Sequence, residues 1–309
     1  MNRIIPIILS GLLLVSCGMF RKPEVKDSQS EGTIYIRVDE SFKPIMEEQI
    51  RVYQSSFPKA KIIATYKAEA ECFNDLLNDS VRMVIVTKKL LPEESAYYND
   101  SLGLYPQSGI LAYDAVALLL NRDDPDSVLS IADVQALLQG KSQLPYRPVF
   151  DGVRATSNVR FALDSILKGA PMQTAGITAA PNSWEVVRYI ASNRGYLGLV
   201  GVSWIGNPED PEQVNMLRKV RMAWLPCRTC EDTLLYTKPW QEEILTGHYP
   251  FTRGIYYIIK ENYAGLGTAF VNFMKSERGQ LIFRRGYLVP AHKTFVEREA
   301  KINLVKTIK

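Results

Sequence analysis

Three runs of almost wholly apolar residues constrain this chain more than any other feature: "VRMVIVT" from Val81, "DAVALLLN" from Asp114 and "YLGLVGVSWI" from Tyr196. Each has the length of a strand, and a strand apolar on both alternating faces must be covered on both. Between them lie segments with helical spacing. "SIADVQALLQG" opens on a Ser130 cap and closes on Gly140, and "SWEVVRYIASNRG" ends at Gly195. Earlier, "GTIYIRVD" alternates as a strand ending at Asp39, "SFKPIMEEQIRVYQSSFP" reads as a helix, "KAKIIATY" as a strand and "ECFNDLLND" as a helix. Strands alternating with helices predict an α/β fold with helices on both faces of the sheet. Residues 207–235 are charged and irregular. "TRGIYYIIK" returns as a strand, and "GLGTAFVNFMKSERGQLIFRRGY" reads as a helix with a break expected at Gly279.

The first 16 residues resemble a signal peptide: Arg3 gives the positive start, Ile4 to Val15 the apolar core, and Ser16 a small residue before Cys17. The ending "LVSC" is similar to a bacterial lipobox, which implies cleavage before Cys17 and lipidation there. An ordinary leader with a chance cysteine is the alternative. No later segment reaches the roughly 18 consecutive apolar residues that a membrane span needs. Residues 17–32 read as a lipidated N-terminus and flexible tether. The remaining 277 or so residues from Thr33 are more than one ordinary domain holds and predict two lobes. The expected result is an envelope protein anchored by lipid on the periplasmic side, and a monomer.

Formal net charge is +4, and +3 once Arg3 leaves with the leader, too mild to indicate nucleic acid. Beside Cys17 the chain has Cys72, Cys227 and Cys230. "CRTC" fits a redox motif, half a zinc site or a local disulfide. No second CxxC exists and the histidines are only His248 and His292, so no metal is expected and a disulfide between Cys227 and Cys230 is the simplest reading in an oxidising compartment. No cofactor motif is present.

The order of motifs resembles the phosphate-binding proteins of bacterial ABC transporters, the PstS-like family. "YDAVALLLN" with "LSIADVQALLQG" looks like the entry to that family's second lobe. "SWEVVRYIASNRGYLGLVG" is similar to its helix leading to an "Asn-Pro-Gly-x-Ile-Gly-Tyr" strand. "YPFTRGIYYII" resembles its returning "Tyr-Pro-x-x-Arg-Pro-Leu-Tyr" strand, and "FVNFMKSERGQLIFRRGYLVPA" its closing helix and "Gly-Tyr-x-x-Pro" tail. The likeness covers nearly all of residues 33–292, and the lipobox and compact form look most like Bacteroidetes members. It implies a two-lobe periplasmic-binding-protein type II fold, each lobe a mixed sheet flanked by helices. Lobe 1 is then 33–114 plus 252–309, lobe 2 is 115–251, and the hinges lie near Ala112 to Ala117 and Phe251 to Tyr257. It further implies an ABC permease as partner and phosphate or a similar tetrahedral oxyanion as ligand, captured in the cleft for import. The alternative is a diverged lipoprotein on this fold with a sensory or structural role.

Oxyanion binding needs converging donors. The resemblance places Ser41 and Phe42 in the first ligand loop, although Ser41 also suits a plain helix N-cap. Thr87 can donate a hydroxyl and Lys88 a point charge at the end of the third strand, or both belong to a solvated turn. In "FDGVRATSNVRFALDSIL" the family's Arg and Gly-Ser-Gly-Thr give way to Phe150 and "RATSN". Thr156, Ser157 and Asn158 then cap a helix and offer donors, with Arg154 and Arg160 as replacement arginines. The family's Gly/Ser-rich second loop is replaced by Ala68, Glu69, Ala70 and Glu71, which read as acids at a helix N-terminus rather than ligand groups. No Gly-x-Ser-x-Gly elbow and no histidine cluster occur, so no enzyme is expected and no catalytic residue is assigned.

Overall fold

The computed structural model describes residues 27–292, apart from 79, 104, 126, 153–155 and 233. The leader, Cys17, the C-terminal tail and Arg154 lie outside the described residues.

The strands are β1 (Gly32–Asp39), β2 (Ala60–Lys67), β3 (Val81–Val86), β4 (Gln107–Asn121), β5 (Arg147–Phe150), β6 (Thr178–Ala179), β7 (Tyr196–Gly201), β8 (Val220–Met222), β9 (Leu225–Pro226), β10 (Tyr236–Thr237), β11 (Thr252–Ile259) and β12 (Val289–Pro290). The helices are α1 (Lys43–Ser56), α2 (Glu69–Leu76), α3 (Pro92–Leu102), α4 (Ile131–Leu138), α5 (Ser157–Phe161), α6 (Ser183–Ser192), α7 (Pro211–Leu217), α8 (Gln241–Thr246), α9 (Leu266–Lys275) and α10 (Glu277–Arg285). One mixed sheet runs β2-β1-β3-β11-β4-β7-β5-β6, with β8 and β12 also paired to β4. β4 is common to both halves. Its residues up to Ala115 pair with β11, and Val116 to Leu119 pair with β7.

Burial on both faces has a direct cause in β3. Met83 and Ile85 join the main apolar core, while Val81, Val84 and Val86 pack with Cys72, Leu76 and Tyr98 on the opposite face. α1, α9 and α10 cover the first face and α2 the second. β4 carries the longest apolar run although both its neighbours are antiparallel, because helices cover both sides of it too.

Four details differ from the sequence expectations. The body is packed from Asp27 rather than Thr33: Asp27 is buried and ion-paired to Arg82, and Gln29 accepts from the Tyr53 hydroxyl, so the tether ends earlier than residue 32. α3 forms after Pro92, which starts a helix well because its missing N–H has no partner to lose. The stretch 207–235 holds α7 and the two short strands β8 and β9, with α7 anchored by Asp210, whose carboxylate accepts from the Glu212 and Gln213 N–H groups. The break in the closing helix falls at Ser276, not Gly279. Gly279 lies inside α10, where an added Cβ would meet Phe273 O at 2.3 Å and the Met274 Cα at 2.5 Å. Its role is close approach of α10 to the end of α9. Among the described residues no helix is long and apolar enough to cross a membrane.

Gly279→Ala is expected to lower unfolding free energy by about 1–3 kcal/mol through overpacking against backbone. Urea denaturation checks this, and unchanged stability would show that the two helices part freely.

Candidate functional site

β1 ends at Asp39, and the chain turns sharply through Glu40 to Phe42 before α1. Asp39 Oδ1 accepts from the Ser41 N–H at 2.9 Å and from the Ser157 hydroxyl at 3.0 Å. Ser157 therefore has its proton committed, so the 3.0 Å contact with Ser41 Oγ is donated by Ser41. Ser41 does not cap α1: its hydroxyl faces the other half of the molecule, and Ser203 Oγ donates to its carbonyl at 3.0 Å. Phe42 is fully buried, and its ring centroid lies 5.5 Å from the Arg253 Cζ.

Arg253 on β11 sits directly across from Asp114 on β4 in the strand register. Its Nε donates to Asp114 Oδ2 at 2.8 Å, and its Nη1 donates to Asn158 Oδ1 at 2.9 Å and Ser157 Oγ at 3.2 Å. Nη2 is also 2.8 Å from Asp114 Oδ2, so two guanidinium nitrogens share that oxygen in the ion pair. Asn158 Nδ2 donates to Asp151 Oδ2 at 2.7 Å. The Ser183 hydroxyl lies 2.7 Å from Glu40 Oε2 and 3.0 Å from Asp151 Oδ2. One hydroxyl proton cannot serve both carboxylates, so the arrangement is complete when one of the two is protonated.

The third group centres on Glu69, the first residue of α2. Its Oε1 accepts from the Thr87 N–H at 2.6 Å, the Thr87 hydroxyl at 2.7 Å and the Lys88 N–H at 2.9 Å. Its Oε2 accepts from Arg160 Nε at 2.5 Å, and Arg160 Nη2 also contacts Thr87 Oγ1. Thr156 caps α5 by accepting from the Val159 N–H.

Five carboxyl groups, Asp39, Glu40, Glu69, Asp114 and Asp151, thus share this region with two guanidiniums. Burial disfavours the charged form, so it pushes Asp39 up to about 7, helped by the nearby Glu69 charge and opposed by Arg253. Burial likewise raises Glu40 to about 7, against the Ser183 hydrogen bond. Asp114 and Asp151 are also raised by burial. Burial pushes Glu69 up as well, but the Arg160 hydrogen bond and charge outweigh it and leave its carboxyl below the usual range. Among the described residues, Asp39 Oδ2 is buried without a protein hydrogen-bond partner.

Ser41, Phe42, Ser157 and Asn158 thus gather around Asp39 and Arg253, and Thr87 and Arg160 around Glu69, with α5, capped by Thr156, contributing to both groups. Lys88 contributes only its N–H. Its ammonium turns away to Glu94 and over the Phe73 ring. Glu69 does stand in the first turn of its helix, as expected, but it is 2% exposed and accepts from Thr87, Lys88 and Arg160. Sequence reading missed Asp39, Glu40, Asp114, Asp151 and Ser183. It also passed over Arg253, which stands at the arginine of the motif quoted above. Elsewhere, Cys227 and Cys230 are joined in a disulfide, and Cys72 is buried and free. His248 lies beside the pair, its ligand atom within 4.8 Å of the sulfurs, but a disulfide offers no thiolate to a metal.

The family model for the PBP superfamily domain matches residues 24–278. The chain belongs to that superfamily. Its fold is that of the PstS-like proteins. A Clostridium perfringens structure with bound phosphate, assigned to phosphate ABC transporter substrate-binding proteins, superposes with a TM-score of 0.66 at 16% identity, over 84% of this chain and 100% of that one. An ABC-type phosphate transport receptor from Vibrio cholerae gives 0.61 at 12%, over 84% and 100%. PstS from Borrelia burgdorferi gives 0.53 at 16%, over 85% and 100%. These relatives are substrate-binding proteins rather than enzymes. No curated protein matches this chain.

Because Asp39 and Glu40 titrate near 7 when folded against 3.8 and 4.5 otherwise, the folded state holds protons that the unfolded chain has released. Their contribution makes stability fall as pH rises from the unfolded values through about 7. Asp39→Asn keeps the acceptor for Ser41 and Ser157 and is expected to flatten that fall. Urea midpoints at mildly acidic and neutral pH read the slope, and a slope equal to wild type would contradict the assignment.

Proposed function

We propose that this chain is the lipid-anchored substrate-binding component of an ABC importer, taking phosphate or a similar tetrahedral oxyanion between two lobes, 33–114 plus 252–309 and 115–251. The anchor is Cys17, on the periplasmic side of the membrane, and a permease receives the ligand. Hinge bending at the β4 and β11 crossings opens and closes the cleft. One observation carries this reading: the Thr87 N–H and hydroxyl, the Lys88 N–H and the Arg160 fork, drawn from both halves, converge on a single carboxylate. Donors that converge on one carboxylate form an array suited to an oxyanion. The superfamily and the phosphate-bound neighbour agree with it.

The second reading is a lipoprotein with a sensory or structural role that binds no phosphate. The same carboxylate favours it, since Glu69 already fills the array.

Calorimetric titration of the Cys17→Ala protein with phosphate and with sulfate decides. Heat with either oxyanion is expected, and silence with both would leave the second reading. Arg160→Lys removes the two-pronged contact while keeping a charge beside Glu69, and is expected to weaken binding by about tenfold or more. Undiminished affinity would remove Arg160 from the site.

A further inference from the structure

We infer that Glu69 acts as a tethered anion: its carboxylate stands at the ligand's position, so an incoming oxyanion binds by exchange for it. The inference rests on the oxyanion reading of this cleft and adds what sets its affinity and selectivity.

Its basis is geometric. A residue in the first turn of a helix normally keeps its carboxylate in water, where it interacts with its own helix end. Glu69 instead reaches the turn after β3 and across to α5, so that its partners are Thr87, Lys88 and Arg160 rather than α2. These are the groups that sequence reading assigned to the ligand. Four contacts fall on Oε1 and one on Oε2, the fourth being Arg160 Nη2 at 3.4 Å. The cradle is thus saturated by an intramolecular group whose effective concentration is high.

Room for exchange is also present. A cavity of about 740 Å³ borders the carboxylate on its outer side, lined by Glu69, Ala70, Phe73, Lys88, Arg160 and Leu163. Glu69 can swing into it without unfolding α2, because its Cα is the first of the helix.

Exchange explains selectivity by counting acceptors. A simple carboxylate offers two oxygens, the same as Glu69, and gains nothing by replacing it. A tetrahedral oxyanion offers four and carries more charge opposite Arg160, so it can take the contacts now made to Glu69 with two oxygens left for the adjoining cavity. Monocarboxylates and halides are therefore excluded from the wild-type site, and apparent affinity for an oxyanion is reduced by the fraction of molecules in which Glu69 is in place.

The test uses Glu69→Ala and Glu69→Gln in the Cys17→Ala protein, with inorganic phosphate and acetate as probes and Glu71→Ala, a neighbouring helix acid with no contact to Thr87 or Arg160, as control. Phosphate is expected to bind Glu69→Ala at least about tenfold more tightly than wild type, with Glu71→Ala unchanged. Acetate is expected to raise the melting temperature of Glu69→Ala by filling the vacated cradle, and to leave wild type unmoved. If Glu69→Ala fails to fold, Glu69→Gln retains an acceptor without the charge and is expected to bind phosphate more tightly as well. Equal or weaker phosphate binding in the folded variants, together with no acetate stabilisation, overturns the inference. Acetate stabilisation of Glu69→Ala while wild type ignores phosphate upholds the tethered anion and rejects phosphate as the ligand.

Discussion

Arg253 ties together three parts of the structure with one buried charge. It lies on β11 at the junction of the two halves and is 7% exposed. Its guanidinium meets Asp114 on β4, Ser157 and Asn158 on α5, and the Phe42 ring before α1. An isolated buried charge of this kind costs several kcal/mol, and only complete pairing offsets that. The cross-strand register that sets Arg253 opposite Asp114 supplies the first partner, and the α5 side chains supply the rest. Placing the cation fixes where β4, β11 and α5 can sit, and hence where Ser41 and Ser157 meet.

The acids around it follow from the same constraint. Two guanidiniums cannot neutralise five carboxyl groups, so protonation does part of the work: burial pushes Asp39 and Glu40 up to about 7, while the Arg160 hydrogen bond and charge keep Glu69 below the usual carboxylate range. The region divides into a neutral-leaning pocket around Asp39 and Ser183 and an ionised cradle around Glu69.

The strands were legible because the period-two pattern is strong and local. β1, β3 and β7 follow their apolar runs, and the Ser130 and Thr156 caps stand where the sequence places them. The donor residues were legible through position, each at the end of a strand or the start of a helix. Glu69 was not, because an acid in a first helical turn already has a sufficient local explanation, and nothing nearby indicates a partner in Thr87 or Arg160. Asp39 and Asp151 were hidden for the same reason: an aspartate at or just past a strand end suits a turn in any chain, and Asp114 because its partner Arg253 is set only by the pairing of β4 with β11. Gly279 misled because a glycine in a helix signals a break unless a second helix presses on it, which only the packing of α9 reveals.

Polar contacts that cross between the halves in this region include Ser41 to Ser157, Ser157 to Asp39, Ser203 to the Ser41 carbonyl, Ser183 to Glu40, Arg253 to Ser157 and Asn158, and Arg160 to Glu69. A neutral hydrogen bond contributes about 0.5–1.5 kcal/mol net, because water replaces it when it breaks. An apolar junction of the same extent would lose its burial outright on opening. The protein's own carboxylates satisfy the serine and guanidinium donors along this junction, so each hydroxyl contact contributes as a neutral or charge-assisted bond rather than as apolar burial.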